Sequence, residues 1–369
     1  MLAPALRHSL HLSLSRVGVV LAAEWIGTSV TLLPWGILAD RVGERLVLGL
    51  GLAGCAGFLA AAAFAHRFAS LVVLLALAGA AGASVNSASG RAVMHWFGDE
   101  ERGLALGIRQ TAIPIGGLIG AIALPIAVAE SGLEAAFLVL AGVSLAGAVA
   151  GVAIIREGVA DGVEPDRLVA TLRDARLWRV CLASGFYLVA QVAIIGFAVL
   201  FLHDERGFST GEGAALLAVA QVLAATLRIG AGRWSDLLGA RLVPLGRIGL
   251  VTTGAVALVA ALVHSTTVLL LPALAVAGGF AMAWNGLSFT AAAELAGRAR
   301  SGAAIGFQQT VLSLVGVGAP VAFAAAVSGT SWRVAFLLAA LCPLVGSLML
   351  RPLATRERTS ARTRVVLDR

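Results

Sequence analysis

The chain is punctuated by apolar runs of about 20 residues, the length an α-helix needs to cross a bilayer core of about 30 Å. Eleven such runs stand near 17-38, 47-65, 69-90, 104-128, 133-155, 178-202, 213-232, 247-265, 267-290, 302-327 and 332-351. With 59% of 369 residues apolar and 13% charged, the chain holds more oil than one water-soluble core can hide. It reads as an all-α integral membrane protein.

A net charge of +7 raises the possibility of a nucleic-acid binder, so the placement of the charges decides. All 27 basic residues other than histidine are arginine. If the loop carrying Arg41 and Arg45 is cytoplasmic, the alternate loops that follow hold Arg91, Arg102, Arg156, Arg167, Arg173, Arg176, Arg179, Arg233, Arg241, Arg247, Arg298, Arg300 and the six arginines from Arg351 onward. The opposite set holds Arg7, Arg16, Arg67, Arg206 and Arg333, so the division is twenty against five. That is a positive-inside bias, and it orients the chain with its C-terminus in the cytoplasm. The basic charge therefore reports topology, and a nucleic-acid partner is excluded.

Cys55, Cys181 and Cys342 are scattered through apolar runs without metal-like spacing, and the six histidines form no HExxH array. No GxSxG or GxxxxGK[ST] motif is present either. No metal, cofactor or enzymatic chemistry is expected; Asp99, Glu100 and Glu101 read as a solvated loop cluster.

The chain also repeats itself. Gly36-Ile-Leu-Ala-Asp40-Arg41-Val-Gly43-Glu44-Arg45-Leu-Val returns as Gly232-Arg-Trp-Ser-Asp236-Leu237-Leu-Gly239-Ala-Arg241-Leu-Val, shifted by 196 residues, with six of twelve positions identical. Gly103-Leu-Ala105-Leu-Gly107-Ile-Arg109-Gln110-Thr111 returns at a shift of 199 as Gly302-Ala-Ala304-Ile-Gly306-Phe-Gln308-Gln309-Thr310, and Asn86 and Ser89 recur as Asn285 and Ser288. A nearly constant offset marks two homologous halves in parallel orientation. The expected organisation is an N-terminal bundle over 1-155, a linker over 156-177, a C-terminal bundle over 178-351 and a basic cytoplasmic tail over 352-369. In the linker, Pro165 followed by Leu168, Val169, Leu172 and Leu177 predicts an amphipathic helix on the inner face. The shift maps 178-202 onto a segment that largely precedes Met1, so about 19 residues of a first helix are expected ahead of the chain as given. MLAPAL then reads as that helix's outer end.

Gly36-x-x-x-Asp40-Arg41-x-Gly43-x-Arg45 between two spans resembles the signature loop of the major facilitator superfamily, secondary transporters of two six-helix bundles. The resemblance covers the whole chain: motif in both halves, linker, basic inner loops and repeat. The motif falls in the family's loop between helices 2 and 3 only if helix 1 is the absent one, leaving eleven full spans. The resemblance implies that Asp40 latches the halves on the cytoplasmic side in the outward-facing state and releases them as the carrier rocks, so that Asp40 and Arg45 are expected as gating residues and not as substrate ligands. Gly36, Arg41 and Gly43, with Gly232, Asp236, Gly239 and Arg241 of the second copy, complete this gating motif. The alternative is a turn that only sets topology. Glu44 departs from the family, which usually has a basic residue there, and Pro114-Ile-Gly116-Gly117 matches the drug/proton antiporter pattern only in part.

Few polar groups lie inside the spans. Glu24 is the one carboxylate well inside a run, and reads either as a proton-coupling group or as an outer-vestibule residue in water or in a structural pair. Arg109, two turns into its span, reads either as a bidentate anchor for a carboxylate or similar anion, or as a snorkelling or gate residue; its repeat partner is the neutral Gln308. Gln110 and Gln309, and Asn86 and Asn285, are repeat-related pairs that either bond between helices or line the solute path. Tyr187 and Gln191, four apart, share a helix face. The resulting expectation is a monomeric secondary transporter of the bacterial cytoplasmic membrane, moving a small solute, by preference an organic or inorganic anion, with protons as a candidate coupling ion. Efflux of an apolar drug-like compound, or a non-transporting sensor or scaffold on the same fold, are the alternatives.

Overall fold

A computed structural model describes residues 13–155 and 165–367, and within them the chain is helical throughout, with no strand. The helices are α1 (Leu14–Val42), α2 (Glu44–Ala63), α3 (Phe68–Gly82), α4 (Ser84–Trp96), α5 (Arg102–Gln110), α6 (Ala112–Ile154), α7 (Pro165–Leu172) and α8 (Ala175–Gln191). They continue as α9 (Phe197–Arg206), α10 (Thr210–Leu238), α11 (Leu242–Leu262), α12 (Thr267–Ala283), α13 (Asn285–Ala296), α14 (Ser301–Gly329) and α15 (Trp332–Leu367). A π-turn over Val192–Gly196 joins α8 to α9. The region expected to hold the end of a first helix lies outside the described residues, as does the linker up to residue 164; α7 begins at Pro165.

Ten helical stretches of the described residues are long and apolar enough to cross a membrane. One of them, Arg102–Ile154, has 53 residues, enough for two crossings at about 20 residues each. Gly132 breaks it with φ 82, a conformation that glycine adopts without a Cβ clash. Eleven passes result, and the break falls between the runs read as 104-128 and 133-155. The surfaces are aliphatic: Leu118 is 62% exposed and Val143 67%, as helices solvated by lipid tails require.

The chain packs as two compact units. The first comprises the chain up to Trp96, Ile113–Leu172 and Ala296–Thr310; the second comprises Phe97–Ala112, Arg173–Leu295 and the chain from Val311 on. Each unit therefore contains a short segment from the other half of the sequence. Those two segments correspond under the 199-residue shift.

Hydrogen bonds and close backbone contact hold α1 to α3 in the first unit. Thr28 Oγ1 donates to Gly79 O (3.1 Å), while Thr31 Oγ1 (2.8 Å) and Trp35 Nε1 (2.6 Å) both donate to Ala80 O. A Cβ on Gly27 would lie 2.9 Å from Ala80 N, so only a glycine allows the approach. The second unit has an aromatic core. Phe201 meets Trp332 and Phe336 at centroid distances of 5.3 and 5.5 Å, and Phe323 meets Phe336 at 5.4 Å, within the range of favourable aromatic pairs. Ile194, Val256 and Leu270 fill the space around them.

Candidate functional site

The two copies of the repeated motif each end a long helix at a carboxylate, and each carboxylate meets the beginning of another helix. In the first unit Asp40, 1% exposed, accepts from the backbone N–H groups of Gly302 (2.9 Å) and Ala303 (2.7 Å) in the first turn of α14. These are amides that a helix leaves without internal partners, and the dipole there favours negative charge. Gly36, one turn earlier, brings the chains together: its Cβ would strike the backbone of Gly302, and would come within 3.1 Å of Ala303 Cα.

Arg91 of α4 completes this latch. Its Nε donates to Asp40 Oδ1 at 3.1 Å, and its Nη1 pairs with Glu44, all three side chains being almost wholly buried. Glu44, read from sequence as a departure from the family pattern, is one of the two acids that share this buried cation. The chain reaches it through Gly43, whose φ 90 and ψ 157 separate α1 from α2. Arg41 is exposed, and Arg45 is half-buried with no hydrogen-bond or ion-pair partner among the described residues. The cation beside Asp40 is Arg91, counted from sequence only as an inner-loop arginine. Arg91 lies 51 and 47 residues from the two acids on a different helix, so no local spacing in the sequence marks the pairing.

In the second unit Asp236 accepts from Gly103 N (2.9 Å) and Leu104 N (2.8 Å) at the start of α5. Gly232 plays the part of Gly36, since a Cβ there would lie 2.6 Å from Gly103 C. The cation here is Arg241 from the motif itself. It pairs with Asp236, reaches Glu294 through Nε (3.1 Å) and Ser235 Oγ through Nη1 (2.9 Å), and donates to Asp99 O. Gly239 turns the chain with φ 56 and ψ 30. Glu357 of α15 accepts from the backbone N–H of Arg241 (2.7 Å) and of Leu242 and Val243.

The other sequence-selected residues divide among different surroundings. Arg109 donates to Gln110 Oε1 at 2.9 Å. Arg228, buried in α10, donates to Gln110 O (2.9 Å) and Met282 O (2.8 Å), holding the end of α5 to α12. Asn285 Nδ2 donates to Gln191 Oε1 at 3.3 Å and to Met282 O at 3.0 Å. Tyr187 does not share that patch. Its hydroxyl bonds Ser347 Oγ (3.2 Å) and Leu245 O (3.4 Å), and its ring fills the space left by Gly249 and Gly346. Gly249 of α11 and Gly346 of α15, having no side chain, leave the room that the ring occupies. In the first unit Gln308 is buried and Gln309 half-buried in α14. Glu24 lines a groove of about 530 Å³ with Thr28, Cys55, Gly79, Asn86 and Phe137.

The sequence of the chain matches the model of the Major Facilitator Superfamily over residues 1–320. The chain belongs to this family of membrane transporters, which are not enzymes. An uncharacterised MFS-type transporter of Mycobacterium tuberculosis is 34% identical over 354 residues, covering 93% of this chain and 78% of the relative. A probable L-galactonate transporter of Escherichia coli is 32% identical over 111 residues, 30% of this chain and 24% of the relative. Among solved structures, the fucose:proton symporter of E. coli superposes with a TM-score of 0.75 at 17% identity, covering 95% of this chain and 94% of that one. This last likeness concerns the fold.

Proposed function

We propose that the protein is a secondary active transporter that carries a small organic anion across the bacterial cytoplasmic membrane by alternating access, with its C-terminus in the cytoplasm. The observation that carries the anion reading is Arg109: a guanidinium in an apolar span, donating to the neutral Gln110. The corresponding position of the second half is the neutral Gln308, so the charge belongs to one half alone. A guanidinium recognises a carboxylate through two parallel N–H bonds, which an ammonium does not reproduce. The sugar-acid relative supports the same class of solute. Arg228 and Gln110 position the helix end that presents Arg109, and Glu24 is the group offered for proton coupling. The Asp40 and Asp236 latches act as the cytoplasmic gate, released as the carrier changes state. The transporting unit is a monomer.

The test is counterflow of radiolabelled galactonate and glucuronate in proteoliposomes. Arg109→Lys and Arg109→Gln are both expected to lower uptake at least tenfold, the loss of one charge-assisted bidentate contact. Uptake by Arg109→Gln equal to that of the unaltered protein would remove the anion reading.

A further inference from the structure

At the end of α11 and α15 that the arginine bias assigns to the cytoplasm, the second unit has a cleft of about 300 Å³. It is lined by Leu242, Val243, Gly246, Arg247, Leu350 and Arg351, among others. Depth follows from helix length. Trp332 to Arg351 is a rise of about 30 Å at 1.5 Å per residue, so Arg351 stands one hydrocarbon thickness from the opposite end of α15. Arg247 is in the second turn of α11, within snorkelling reach of the same level.

Both guanidiniums are exposed, and neither has a hydrogen bond or ion pair with a described residue. Arg247 is held over the Trp234 ring, 5.7 Å from its centroid, which orients the charge without neutralising it. Glu357 is engaged by three successive backbone N–H groups at the start of α11. The floor is satisfied as well, since Ser347 Oγ is occupied by Pro343 O and Tyr187. The cleft thus offers two cations without an ion pair among the described residues at its mouth, and apolar walls behind them. Beside it, Leu250, Val345 and Leu348 are 43%, 39% and 42% exposed, an aliphatic surface leading into the lipid.

We propose that this cleft binds the phosphodiester headgroup of an anionic phospholipid from the cytoplasmic leaflet. The two arginines hold the phosphate, and an acyl chain lies along the aliphatic surface of α11 and α15. A basic pocket between membrane helices on this side suits an anionic headgroup better than a zwitterionic one. A free phosphate would satisfy the arginines but would make no use of the aliphatic surface.

Native mass spectrometry of the delipidated, full-length protein titrated with phosphatidylglycerol or phosphatidylcholine tests this. The unaltered protein is expected to retain phosphatidylglycerol in preference, and Arg247→Gln with Arg351→Gln to lower that retention about 30-fold. Gly246 lines the cleft with open space where a Cβ would stand, so Gly246→Leu fills the site while leaving the charge unchanged. It is expected to lower retention comparably, which diffuse attraction would not do. Equal retention of the two lipids, or undiminished retention by Gly246→Leu, overturns the proposal. Displacement of the lipid by millimolar glycerol phosphate or inorganic phosphate would also overturn it, by showing a site for the soluble anion.

Discussion

The latch at Asp40 and the latch at Asp236 share a backbone and differ in their charges. Each carboxylate accepts from two consecutive amides at a helix start, and each follows a glycine one turn earlier that admits the crossing chain. The cations come from unrelated places. Arg91 is supplied by α4 and serves Asp40 and Glu44, whereas Arg241 lies in the motif and serves Asp236 and Glu294. The two copies share the hydrogen-bond geometry and take their neutralising charge from different places in the chain. Amide-to-carboxylate geometry needs two chains in register, while a counter-charge can arrive from any helix that faces the same point.

The largest expected effect tests the charges. Arg91→Ala leaves Asp40 and Glu44, both almost wholly buried, without their shared cation; loss of one partner of a buried pair costs about 3–5 kcal/mol. Arg241→Ala should cost less, because the Glu294 side chain is 29% exposed and can recover water. Thermal unfolding of the purified protein in one detergent should therefore rank Arg91→Ala clearly below Arg241→Ala. Adding Glu44→Ala to Arg91→Ala should restore part of the loss, a non-additivity that only a direct pairing produces. Equal melting temperatures for the two arginine variants would mean that the latches are equivalent in charge as well.

The middle effect tests the shared backbone. Gly36→Ala and Gly232→Ala each push a Cβ into backbone atoms of the opposing helix, which cannot rotate away as a side chain would. Overpacking of this kind costs about 1–3 kcal/mol, and the two variants should melt within a degree or two of each other. A large difference between them would break the symmetry that the amide geometry indicates.

These contrasts also show how far the sequence could be read. The spans were legible because they are written along the chain as run length, while orientation and the internal repeat are readings of arginine placement and of a constant offset. Asp40, Asp236 and the paired glycines followed from the repeat. The counter-charges were not legible. Arg91 and Glu44 are 47 residues apart on different helices, and no periodicity links them. The four-residue spacing of Tyr187 and Gln191 on α8 cannot say which neighbour each meets. Tyr187 meets Ser347, its ring in the room left by the glycines of α11 and α15, while Gln191 meets Asn285. Local spacing determines which residues share a face, and tertiary packing determines what that face touches.

The smallest effect lies in the turns that follow the two carboxylates, where equivalent glycines adopt different conformations. Gly43 has φ 90 and ψ 157, a region essentially closed to residues with a Cβ, whereas Gly239 has φ 56 and ψ 30, the left-handed region that asparagine also enters. At neither position would a Cβ meet another atom within 4 Å, so the cost of substitution is purely conformational. Gly239→Asn should leave the melting temperature nearly unchanged and Gly239→Ala should lower stability by about 1 kcal/mol. Gly43→Asn should cost at least as much as Gly239→Ala, because its side chain gains no tolerance in that region. If Gly43→Asn and Gly239→Asn proved equally harmless, the first turn would be free to relax into the left-handed form. The Arg91 pairing with Glu44, the residue immediately after that turn, would then have to survive the change in backbone direction, and the drop for Arg91→Ala measured in that background would show whether it does.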